Sequence, residues 1–82
     1  MALFMIERTF AEAIGEGSPE EGAKLAEVNT ELGVEWVQTF LTADRTRTYC
    51  LYESPTADLM REHASRLGFP LDSIIQVSPL IE

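Results

Sequence analysis

Two sets of helix start and stop signals constrain the fold of this chain more than any other feature of its sequence. In the first set, Ser18 suits an N-cap, Pro19 suits the first helical position and Glu21 completes a capping box. Apolar residues then recur at helical spacing until Gly33, which can end a helix in the left-handed conformation. The sequence therefore predicts a helix over residues 19–32.

A second set of signals marks a helix in the other half of the chain. Ser54 followed by Pro55 repeats the pattern of Ser18 and Pro19, in which an N-cap residue precedes a proline. Gly68 stands at the far end, and the Phe-Pro dipeptide at residues 69–70 prevents the helix from continuing. The sequence predicts this helix over residues 56–67.

Four runs rich in aliphatic, aromatic and β-branched residues surround these helices and read as strands. A hairpin turn at residues 43–45 separates the second run from the third. Pro79 limits how far the last run can pair within a sheet, because proline has no N–H to donate. The predicted strands are residues 2–9, 34–42, 47–53 and 74–77.

The resulting order, βαββαβ, is that of the ferredoxin-like fold. This is an α+β fold in which an antiparallel sheet carries both helices on one face. A chain of 82 residues is long enough for one such domain and no more, so we expect a single domain over residues 1–82. Leu80 and Ile81 can add a short fifth strand after Pro79.

The predicted strands are apolar on both sides, although two helices can cover only one side of a sheet. An uncovered apolar face of this extent is unusual in a monomer. We therefore predict a two-fold homodimer that buries the helix-free face, in an assembly like that of dimeric α/β-barrels. The alternating sets are Leu3 and Met5 against Phe4 and Ile6, Trp36 and Phe40 against Val37 and Leu41, and Tyr49 and Leu51 against Cys50 and Tyr52.

The charge of the chain limits its partners. Fourteen Asp and Glu residues outnumber six Lys and Arg residues, which gives a formal net charge of −8. Such a chain repels nucleic-acid phosphates and anionic membrane surfaces, and it attracts cations. Because Cys50 is the only cysteine, no disulfide can form within the chain. We expect a cytoplasmic protein that binds neither nucleic acid nor membrane.

His63, the only histidine, falls on the apolar face of the second predicted helix, between Leu59 and Leu67. One interpretation is a buried histidine bonded to a neighbouring polar group. The other is a ligand or proton-transfer group in a cleft between helix and sheet. In that case the chain is a small dimeric α/β-barrel enzyme, with its cleft near His63, Trp36 and Tyr52.

Carboxylates are concentrated in two places. Glu12 and Glu16 lie in the loop before the first helix, and Asp58 and Glu62 stand one turn apart on the second. A solvated surface and a divalent-metal site both explain this pattern. With one imidazole in the chain, a metal site has to be open, hydrated and built mainly from carboxylates. The candidate metal ligands are Asp58, Glu62, His63, Glu12 and Glu16.

Several stretches of the chain form a recognisable pattern: residues 4–9, Trp36, residues 48–55, residues 61–64, residues 68–70, Ile74 and Val77. In these stretches the chain resembles a family of small bacterial domains that were long catalogued as being of unknown function. The resemblance implies a ferredoxin-like fold. The actinobacterial branch of the family includes a nickel-responsive, nickel-binding protein of the same size, and this chain is similar to it. The resemblance therefore implies Ni²⁺ as the bound ion, with sequestration or detoxification rather than catalysis as the function.

Overall fold

Six elements follow one another in the predicted βαββαβ order in a computed structural model that describes residues 1–81. The α+β, ferredoxin-like fold is therefore confirmed. Within that part of the chain, neither helix is long and apolar enough to cross a membrane. The elements are β1 (Ala2–Thr9), α1 (Pro19–Leu32), β2 (Glu35–Leu41), β3 (Arg47–Ser54), α2 (Ala57–Leu67) and β4 (Ser73–Val77).

The four strands form one antiparallel sheet in the order β2-β3-β1-β4. The two central strands, β1 and β3, therefore pair on both sides, and β2 and β4 are the edges. Met5 in β1 lies beside Leu51 of β3 and Ile75 of β4, so these three side chains share one face. We call this the open face, because the buried side chains of the sheet point the other way, toward the helices.

The core lies between the helix side of the sheet and the two helices. Phe4 and Ile6 of β1 lie beside Tyr52 and Cys50 of β3, and all four are buried. Met60 of α2 completes this cluster with no exposed surface. Side chains along β1 and β3 therefore alternate between the helix side and the open face in the way that the sequence predicts.

Helix α1 has the bounds that the sequence predicts, and its caps explain why. The hydroxyl of Ser18 accepts a hydrogen bond from the N–H of Glu21 at 3.1 Å, and the Glu21 carboxylate accepts one from the N–H of Ser18 at 3.4 Å. This capping box satisfies N–H groups that the helix itself leaves free. Gly33 then ends the helix with φ at +69°.

Helix α2 begins at Ala57, and its N-cap is Thr56 rather than the predicted Ser54. The Thr56 hydroxyl accepts the N–H of Leu59 at 3.2 Å. Ser54 is instead the last residue of β3 and is completely buried, with its hydroxyl donating to the Thr56 carbonyl at 2.7 Å. The expectation for Ser54 was wrong because β3 extends through Ser54, so that the helix starts only after Pro55 and Thr56.

A β-bulge reverses the alternation within β2. The register with β3 shifts just after Trp36, so that Trp36 lies beside Tyr52 on the helix side, whereas Phe40 lies beside Tyr49 on the open face. The predicted placement of Trp36 and Phe40 on the same side is therefore wrong. The physical reason is that one extra residue in a strand moves every later side chain to the opposite face.

The fifth strand expected at Leu80 and Ile81 is not formed in the part of the chain that the structure describes. Strand β4 ends at Val77, and the two residues are 97% and 87% exposed. Pro79, which cannot donate to a neighbouring strand, separates them from β4.

Candidate functional site

His63 is a core residue held between the two helices and the sheet. Its side chain has no exposed surface, which confirms the predicted burial. Its Nε2 lies 2.6 Å from Oδ1 of Asn29 on α1, and its ring meets the ring of Tyr52 edge-on, with centroids 5.0 Å apart. Because an amide oxygen only accepts, Nε2 carries the proton and Nδ1 carries the lone pair. Nδ1 is buried and has no partner within residues 1–81.

The surroundings of His63 favour its neutral form. Burial, and then the positive charge of Arg8, lower the pKa of His63 to about 4. Arg8 is itself buried, with Nη1 donating to the Pro70 carbonyl at 2.9 Å and the guanidinium 5.2 Å from the centroid of the Phe69 ring. The free lone pair of His63 thus lies inside the core, where a hydrated surface ion does not reach it unless the helices open.

Trp36, Tyr52 and His63 lie on the same side of the sheet, as the enzyme interpretation requires, but two of them are closed off. Tyr52 is 3% exposed, and burial raises its pKa to about 12. Trp36 is 52% exposed, and its Nε1–H donates to the hydroxyl of Thr39 at 2.8 Å. Neither His63 nor Tyr52 therefore presents a surface to a substrate.

An open cavity of about 470 Å³ lies elsewhere, at the ends of β1, β3 and β4. None of the residues singled out from the sequence as candidate ligands or cleft residues lines it. The lining residues are Met1, Ala2, Leu3, Glu53, Gln76, Val77, Ser78 and Pro79.

The two candidate carboxylates of α2 lie at the surface, and each is already paired with an arginine. Oδ1 of Asp58 lies 2.5 Å from Nη1 of Arg61. Oε2 of Glu62 lies 2.9 Å from Nη2 of Arg66. Arg66 also reaches Glu31 on α1 at 2.9 Å. A metal ion at this face has to compete with two guanidinium groups.

The other two candidate carboxylates, Glu12 and Glu16, are exposed on the loop between β1 and α1. This loop is fastened to the β2–β3 turn, because the N–H of Ile14 donates to the Arg45 carbonyl at 2.8 Å and Nε of Arg45 donates to the Ile14 carbonyl at 2.7 Å. Neither carboxylate takes part in an ion pair within the described residues. Their oxygens are accessible to a cation without displacing a partner.

The five candidate ligands thus lie in three separate places: the loop, the surface of α2 and the core. Nowhere in residues 1–81 do three or more His, Cys, Asp or Glu side chains form a group that could hold a metal ion. The assignment of Asp58, Glu62, His63, Glu12 and Glu16 as ligands stays a prediction.

The surroundings of His63 include two polar residues that the sequence analysis missed. Asn29 follows Val28 on the apolar stripe of α1, and Arg8 occupies a helix-side position two residues after Ile6. In both cases a polar residue interrupts an apolar periodic pattern, and this interruption could have identified Asn29 and Arg8 from the sequence. Such a residue is buried only when it has a partner, and the sequence does not identify that partner.

Comparisons with known proteins agree with the fold described above. No curated protein matches the chain. The solved structure of SCO4226 from Streptomyces coelicolor A3(2) has the same fold, with a TM-score of 0.71 and 22% sequence identity over 99% of this chain and 100% of that chain. Residues 4–77 match the family described as nickel responsive protein SCO4226-like. Because this match covers most of the 82 residues, the chain belongs to the nickel responsive protein SCO4226-like family.

Proposed function

We propose that this protein binds Ni²⁺ at open sites on its surface and thereby sequesters the ion in the cytoplasm. The observation that carries the proposal is the match of residues 4–77 to a nickel responsive family. The composition supports it, because a net charge of −8 concentrates divalent cations near the protein.

The proposed sites use carboxylates and water. Ni²⁺ accepts carboxylate and imidazole ligands, and waters can complete its coordination. The loop pair, Glu12 and Glu16, has no guanidinium competitor, so we expect it to contribute more than the α2 pair, Asp58 and Glu62. His63 contributes only if α1 and α2 separate, because both of its ring nitrogens are buried or bonded. Such sites bind with weak to moderate affinity.

We further propose that the protein is a homodimer joined through the open face. Phe40 is 53% exposed and Ile75 is 56% exposed on this face, although both are large apolar residues. Exposed apolar surface of this kind marks association sites. Light scattering at micromolar concentration should then report about twice the chain mass.

Calorimetric titration of the tag-free protein with Ni²⁺ tests the proposal. Wild type should bind, and Glu12→Gln with Glu16→Gln should weaken binding more than Asp58→Asn with Glu62→Gln. Glu20→Gln with Glu27→Gln is a matched control, because it removes the same charge from two exposed residues of α1 that form no ion pair in the described structure. The control should bind almost as wild type does.

Two results would count against this account in different ways. If wild type binds no Ni²⁺, the proposed function fails. If only His63→Gln abolishes binding, nickel binding stands but the assignment to surface carboxylates is wrong.

A further inference from the structure

We draw no further inference here: the strongest candidate, the open cavity at the ends of β1, β3 and β4, lies against the exposed open face of the sheet, and nothing in the structure shows what covers either of them.

Discussion

Acid should destabilise this fold through His63. The pKa of His63 is about 4 in the folded protein, against 6.5 for an unperturbed histidine, because burial and Arg8 disfavour the imidazolium. The unfolded chain therefore takes up a proton at a higher pH than the folded chain. The resulting stability is fully present above pH 6.5 and is lost as the pH falls toward 4. Protonation of the folded state would add a buried N–H at Nδ1 without an acceptor.

The size of the effect follows from the two pKa values. Between about pH 7.5 and about pH 5, the difference in proton binding removes about 2 kcal/mol from the free energy of unfolding. The full difference, reached well below the folded pKa, is about 3 kcal/mol. For a domain stabilised by roughly 5–15 kcal/mol, this loss is large.

Urea unfolding followed by circular dichroism, at both pH values and one protein concentration, measures this loss. His63→Met is the control, because it keeps an unbranched apolar side chain in the core and cannot titrate. The surface carboxylates titrate in both proteins, so their contribution cancels in the comparison. Wild type should lose about 2 kcal/mol more than the variant. Equal losses in the two proteins would refute the reasoning.

Four further substitutions test the core packing, the interior of α1 and its two ends by urea unfolding. Gly33→Ala should lower the free energy of unfolding by about 1 kcal/mol, because φ is +69° at this residue. Gly22→Ala should raise it by about 0.5–1 kcal/mol, because Gly22 lies inside α1 with open space around it. Effects of the same sign at the two glycines would contradict the conformational argument. Met60→Ala should lower the free energy of unfolding by about 2–5 kcal/mol, because the side chain is completely buried in the core. A smaller loss would mean that neighbouring side chains move into the cavity and fill it. Ser18→Ala should cost about 1 kcal/mol by removing the capping box, and an unchanged midpoint would show that water replaces the cap.

The helices could be predicted because their signals are local. The cap of α1 needs only Ser18 and Glu21, three residues apart, and its end needs only Gly33. The bulge after Trp36 could not be predicted in the same way. It depends on the register between β2 and β3, and an apolar run looks the same with or without an extra residue.

In the candidate site, too, the features set by local sequence could be predicted and those set by distant contacts could not. Helical periodicity places His63 on the apolar face of α2, so its burial followed from the sequence. Its partner Asn29 is 34 residues away, and Arg8 comes from the first strand, so the hydrogen bond and the lowered pKa needed the folded structure. The exposure of Asp58 and Glu62 was predictable, whereas their contacts with Arg61 and Arg66 depend on side-chain conformations that the spacing permits but does not require.

Both outer edges of the sheet are poorly suited to recruit another strand. Every residue of β2 is exposed, but its bulge breaks the regular spacing of its free N–H and C=O groups, and β4 is followed by Pro79. Growth of the sheet from copy to copy, as in a fibril, is thereby discouraged. Protected edges therefore let this chain reach a high concentration without polymerising from strand to strand.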